Sequence, residues 1–163
     1  MSSPLIGKLG KIAFSLGHPR CWSPLTKGVA PAIEHRHVLA ALDCDLLLDV
    51  GANRGQFSLI ARVTHPRLPI HAFEPQPGEA AIYRGIFGND PRVTLHEVAL
   101  GDREGEADLH ISRRADSSSL LPIGEMQSKL FPATEEVGTH RVRVQTLDSQ
   151  APQWSGATRA LLK

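Results

Sequence analysis

Apolar residues change their spacing several times along the chain, and each change marks an element. Leu5, Ile6, Leu9, Ile12 and Leu16 recur at helical intervals, so the spacing predicts an amphipathic helix within residues 1–16. His18-Pro19, Ser23-Pro24 and Pro31 then break the pattern. From Asp45 the texture changes. Leu46-Leu47-Leu48-Asp49-Val50 is an unbroken apolar run, as expected of a central strand covered on both faces of a parallel sheet. Past Gly51-Ala52-Asn53-Arg54-Gly55, the positions Phe57, Ile60 and Ala61 return to a helical period that His65-Pro66 closes.

A second unit repeats the order. Ile70 to Glu74 reads as a strand, Pro75 to Pro77 as a turn, and Glu79 to Phe87 as a helix ended by Gly88-Asn89-Asp90-Pro91. Strand and helix alternating in this way imply a parallel sheet. Arg92 to Leu100 is expected as the third strand, forming a hairpin with Glu106 to Ser112 across the Gly101–Gly105 turn. Residues 113–140 read as a long loop with a short helix, Arg141 to Val144 alternates again, and Ala160 to Lys163 opens a further buried strand. The fold expected is a Rossmann-like α/β sandwich with a mostly parallel sheet, incomplete at its C-terminal side. Residues 1–44 form a helical cap segment and 45–163 the main domain.

Composition narrows the function classes. The 163 residues suffice for one domain. Eighteen Lys and Arg against 17 Asp and Glu leave no basic field for nucleic acid. Cys21 and Cys44 are too few for a disulfide framework or a paired-Cys zinc site, and His35 and His37 stand two apart, where a helix turns them to different sides. No metal site is expected. No run approaches the ~20 apolar residues of a membrane span, so a cytoplasmic protein is expected, without stable membrane insertion. The first helix is expected to pack on its own domain, with a membrane-surface helix as the alternative.

The chemistry concentrates in Asp49-x-Gly51-x-x-x-Gly55, at the C-terminal tip of one strand and the start of a helix, where open α/β sheets bind ligands. Glycines there permit an unusual turn and let a ligand lie against the main chain, while the helix start offers free N–H groups. Glu74 ends the next strand, 25 residues after Asp49, where a carboxylate can accept both hydroxyls of a ribose. The loop lacks the second glycine of a dinucleotide fingerprint, since Asn53 stands in its place, and no phosphate-cradling Gly-Lys-Ser/Thr is present. Asp49 suits the ammonium and sulfonium of S-adenosylmethionine (SAM) better than a pyrophosphate.

These residues resemble the FkbM-type SAM-dependent methyltransferases. The resemblance runs over Leu47 to Phe57, His71 to Pro75, Val98 to Asp102, Asp116 to Leu120 and Thr146 to Asp148, with the N-terminal 44 residues outside it. It implies that Asp49, Gly51, Ala52, Asn53 and Gly55 surround the methionine part of SAM, Glu74 the ribose, and the Val98-Ala99 backbone the adenine. It further implies methyl transfer to a hydroxyl of a small-molecule or saccharide acceptor. In the family, the strand that begins like Leu161-Leu162-Lys163 continues into an acidic segment beside the transferring methyl. The sequence stops before it, so the catalytic residue is left unassigned, and a truncated fragment lacking full activity is expected. Such a fragment would self-associate through its short sheet edge. Two other readings stay open: a non-catalytic nucleoside-binding or interaction remnant, and a nicotinamide-dependent oxidoreductase. Asp116 to Ser119 is expected as a hydroxyl-rich loop over the cofactor. Trp22 and Trp154 are expected to be packing aromatics, and His71 and His96 to be structural.

Overall fold

The computed structural model describes residues 4–163; Met1–Ser3 and the side chains of residues 4–8 and of Ser128 lie outside the described part, so the packing expected of Leu5 and Ile6 does too. In chain order the elements are α1 (Pro4–Leu16), α2 (Trp22–Thr26), α3 (Arg36–Ala41), β1 (Leu46–Val50), α4 (Gln56–Thr64), β2 (Ile70–Phe73) and α5 (Pro77–Phe87). There follow β3 (Val93–His96), β4 (Ala99–Leu100), β5 (Gly105–Ser112), α6 (Glu125–Leu130), β6 (Glu136–Gln145), α7 (Leu147–Gln150) and β7 (Ala160–Leu162). Four strands form a wholly parallel sheet in the order β3-β2-β1-β7. β1 is central, as its unbroken apolar run requires, with Leu47 opposite both Ile70 and Leu161.

Both faces of that sheet are covered. On one, Leu47 and Ile70 pack with Ile60 and Ala61 of α4 and with Leu39 of α3. On the other, Leu46, Leu48 and Phe73 pack with Val98, and Leu147 and Trp154 lie against them. The packing role expected of Trp154 therefore holds, its ring meeting His71 edge-on at 4.9 Å. Trp22 differs, standing 55% exposed. The cap segment shares the core: Ala32 and Leu39 belong to the Leu47 cluster, and Cys21 to the one around Tyr83 and Phe87. Ser23-Pro24 does not interrupt it, because Pro24 falls in the first turn of α2, where a missing N–H costs little.

The single strand expected over Arg92–Leu100 is two. β3 stays in the parallel sheet, whereas Val98 drops into the core, 2% exposed, and β4 joins a second sheet ordered β4-β6-β5. β5 pairs antiparallel with β6 along nearly its whole length, so the hairpin expected between the third strand and Glu106–Ser112 does not form. The alternation along Glu106–Ser112 marks the strand correctly but says nothing of its partner, which lies more than 20 residues further on. The loop is accordingly shorter than expected, and β6 starts at Glu136.

At the far end of β1, Asp45 anchors the return of the chain. Its carboxylate accepts from the Thr158 hydroxyl at 2.6 Å and from the backbone N–H groups of Thr158 and Arg159. These bonds, the Thr158 hydroxyl foremost, bring its pKa down to about 2. They set β7 in register beside β1.

Candidate active site

The site forms where β1 and β2 end side by side. A chain leaving β1 must turn sharply to start α4, and three residues take positive φ to do so: Gly51 (65°), Asn53 (51°) and Gly55 (91°). The two glycines serve different ends. A side chain at Gly55 would meet the Phe87 ring at 2.5 Å and the Tyr83 ring at 3.0 Å, so this glycine lets α4 close on α5. A side chain at Gly51 would meet nothing within 4 Å, because Gly51 borders open space.

That space is a cleft of about 430 Å³. Gly51, Ala52 and Asn53 form one wall, and Glu74, Pro75 and Gln76 the next. Ala115, Asp116 and Ser118 lie across it, tied down where the Gln76 amide donates to the Ala115 carbonyl at 3.1 Å. Lys11, Glu34 and His35 of the cap segment close a further side, Lys11 and Glu34 as an ion pair at 3.1 Å.

Glu74 is the most constrained residue in the cleft. Only 3% exposed, it accepts the backbone N–H of Asn53 on Oε2 at 2.7 Å and that of Gln76 on Oε1 at 2.9 Å. Burial raises its pKa above the ordinary carboxylate value, and the Gln76 and Asn53 N–H groups pull it partly back. A carboxylate has about four acceptor positions. Two are filled by the backbone, so each oxygen keeps one for a ligand hydroxyl. The same two N–H bonds lock the glycine loop to the tip of β2, and Arg54 reinforces this by gripping Glu79 through Nε at 2.5 Å.

Asp49 lies beneath the loop. It is fully buried, accepts the Ser58 hydroxyl on Oδ2 at 2.6 Å, and has the Lys163 ammonium 3.0 Å from Oδ1. Lys163 is off the line of a hydrogen bond to Oδ1, so that contact is ionic in character. The Tyr83 hydroxyl donates to Ser58 in turn, at 2.9 Å, and burial pushes its pKa upward. Lys163 also donates to the Gly51 carbonyl at 3.0 Å and borders the cleft.

Of the residues singled out from sequence, Gly51, Ala52, Asn53 and Glu74 line the cleft, while Asp49 and Gly55 support it from below. Val98 and Ala99 do not line it; they are 2% and 5% exposed within two apolar clusters. The Asp116–Ser119 turn stands over the cleft with Asp116 and Ser118 facing it. His71 and His96 sit on the sheet face that carries Phe73 and Trp154, ring nitrogens 3.0 Å apart, with His96 stacked on Phe73. Sequence reading missed Lys11, His35, Gln76 and Lys163. Gln76 had a signal, following directly on the Phe-Glu-Pro turn, whereas the others come from segments whose packing no local pattern encodes. Among the described residues no three His, Cys, Asp or Glu side chains gather as a metal site, and no helix is long and apolar enough to cross a membrane.

The sequence profile described as Methyltransferase FkbM domain matches residues 49–154, from the buried Asp49 to Trp154. A 2-O-methyltransferase, NoeI, of Sinorhizobium fredii (strain NBRC 101917 / NGR234) is 35% identical over 80 residues, 48% of this chain and 33% of that protein. The 31-O-demethyl-FK506 methyltransferase FkbM of Streptomyces tacrolimicus is 45% identical over 49 residues, 30% of this chain and 19% of that protein. The matched stretches thus span a third or less of these relatives' own lengths.

Proposed function

The chain belongs to the FkbM methyltransferase family, and on that premise we propose that it binds SAM in the cleft at the β1 and β2 tips and methylates a hydroxyl of a small-molecule or saccharide acceptor. Family membership implies a methyl donor. The observation that supports SAM as that donor is Glu74, a buried carboxylate with one acceptor position left on each oxygen, matched to the paired hydroxyls of a ribose. In this reading the ribose lies on Glu74 and the rest of the donor runs along Gly51–Asn53, where the main chain has no side chain to keep it away. Asp49 takes no direct contact. It acts through Ser58 and Lys163, which fix the underside of the loop and the Gly51 carbonyl. The Asp116–Ser118 turn and the Lys11–Glu34 wall limit the entry of water and fix the ligand's orientation.

When bound, SAM supplies an electrophilic methyl on sulfonium, and the protein's task is to align donor and acceptor, an effect able to contribute roughly 7–11 kcal/mol. The acceptor class rests on the relatives' names, both of which describe methyl transfer at oxygen. The domain division is part of the same proposal: 45–163 carries the donor site and 1–44 is a cap that completes one wall.

Calorimetric titration with S-adenosylhomocysteine tests this reading. Two hydrogen bonds to a charged acceptor, at about 1.5–3 kcal/mol each, make Glu74→Ala weaken binding by roughly a hundredfold or more. Glu74→Gln, which keeps one backbone acceptor, should fall between, and thermal melts of both variants report whether the loop survives. Unchanged affinity in Glu74→Ala, or tighter binding of NAD than of S-adenosylhomocysteine, would overturn the assignment.

A further inference from the structure

A second cavity, of about 410 Å³, lies at the opposite end of the parallel sheet from the donor cleft. It opens where α4 and α5 end and the chain turns back into β2 and β3, with Arg20 and Ser23 of the cap segment at one wall. Three guanidinium groups, those of Arg20, Arg62 and Arg92, line it, and against them the described lining holds one carboxylate, Asp90. The C-termini of α4 and α5 add about half a negative charge each, which leaves the cations in excess.

Arg62 is the unusual member. It is 4% exposed, yet its hydrogen bonds all run through Nη1, which donates to the Leu68 carbonyl at 2.8 Å and the Pro66 carbonyl at 3.2 Å. Nε stands 2.9 Å from Asp90 Oδ2, off the line of a hydrogen bond, and Nη2 has no partner among the described residues. Asp90 is itself shared, since its Oδ1 accepts the Arg92 backbone N–H at 3.0 Å. Burial lowers the Arg62 pKa, Asp90 opposes the shift, and the like charges of Arg20 and Arg92 add to it, so the two exposed arginines are close enough to act on the buried one. Buried N–H groups left short of acceptors mark a place where an ion completes the set.

We propose that this cavity binds the phosphate group of a small phosphomonoester, its terminal oxygens shared among Arg20, Arg62 and Arg92. A phosphomonoester carries about −1.5 to −2 charge at pH 7 and three acceptor oxygens, one for each guanidinium, whereas a carboxylate brings two oxygens and a single charge. The organic part of the ester has Pro66, Ile86 and Pro91 to lie against, and the volume is in the range of small-molecule sites. The cavity is separate from the donor cleft, so the inference stands whichever ligand that cleft takes.

Titration calorimetry of the full 163-residue chain with phenyl phosphate, benzoate and inorganic phosphate tests it, at about pH 8, where the ester is dianionic. Phenyl phosphate should bind more tightly than either other probe, and less tightly as salt screens the arginines. Arg20→Gln and Arg92→Gln change exposed residues, so their melts should match the wild type, while each weakens phenyl phosphate binding about tenfold through the loss of a charge-assisted hydrogen bond. Arg103→Gln removes an exposed cation outside the cavity and should leave binding unchanged. Saturating S-adenosylhomocysteine should not displace the ester. No binding of phenyl phosphate, equally tight binding of benzoate or inorganic phosphate, undiminished binding in either cavity variant, an equal loss in Arg103→Gln, or displacement by S-adenosylhomocysteine would each overturn the proposal; the last would assign the phosphate to the donor cleft.

Discussion

Replacing Gly51 and Gly55 separately by alanine should split ligand binding from stability. At Gly55 an alanine would sit at φ near 91°, a strain of roughly 1–2 kcal/mol for an L-residue. Its Cβ would also stand 2.5 Å from the Phe87 ring and 3.0 Å from that of Tyr83. Those rings are 5% and 0% exposed and cannot swing aside, so overpacking adds about 1–3 kcal/mol. The sum, roughly 2–5 kcal/mol, corresponds to a fall in melting temperature of about 4–20 °C. At Gly51 the strain is similar but the space is open, so the expected fall is only about 2–8 °C. Binding should run the other way. The added methyl at Gly51 enters the cleft where the ligand is to lie, and S-adenosylhomocysteine affinity should drop about tenfold or more, equivalent to ~1.4 kcal/mol. Gly55→Ala, titrated well below its melt, should bind nearly normally. Differential scanning calorimetry and titration calorimetry on the two variants give both quantities. Normal binding in Gly51→Ala would refute the reasoning that a ligand lies against that residue.

Two further predictions concern buried polar groups. Ser58→Ala removes a hydrogen bond to the fully buried Asp49 and leaves the Tyr83 hydroxyl without its acceptor; at about 1.5–3 and 1–3 kcal/mol, it should cost roughly 2.5–6 kcal/mol by denaturant unfolding. Tyr83→Phe should cost about 1 kcal/mol alone and add little on top of Ser58→Ala, since both remove the same bond; additive losses would contradict the network. Burial, with the adjacent His71, lowers His96 from 6.5 to about 4, and burial lowers His71 in the same direction. The unfolded chain then binds more protons than the folded one between those values, so this pair's contribution is present above pH 6.5 and lost as pH falls toward 4. A His96→Phe variant should show a shallower acid limb in stability against pH, and an unchanged limb would show that the pair is not buried as described.

The parallel sheet was legible because its strands announce themselves locally. Leu46–Val50 has no polar alternation until Asp49, and the Gly51–Gly55 loop follows directly, so the order of strand, loop and helix is written within about 20 residues of chain. Glu74 was legible for the same reason, standing at the tip of a second such strand. The second sheet was not, because strand pairing is a long-range property. β5 alternates clearly, yet its partner β6 lies beyond a loop, and the nearer β4 was the natural but wrong choice. The break at Val98 is likewise set by the cluster of Phe73 and Leu48 that the residue enters, not by a turn signal in the chain. Within the site, the loop and Glu74 could be read, whereas the Lys11–Glu34 wall and the Lys163 contact depend on how distant segments fold back over β1. The exposure of Leu9, Ile12 and Leu16 reverses the usual meaning of an apolar stripe, and only the three-dimensional packing of Phe14 and Ser15 reveals which side of α1 is inside.

Crystallisation of the chain with S-adenosylhomocysteine tests the donor site most directly. The account predicts density for the ligand at the β1 and β2 tips, both ribose hydroxyls within hydrogen-bonding distance of the Glu74 carboxylate, and the thioether chain along Gly51–Asn53. Density elsewhere, or a ligand in this cleft whose ribose does not contact Glu74, would contradict it.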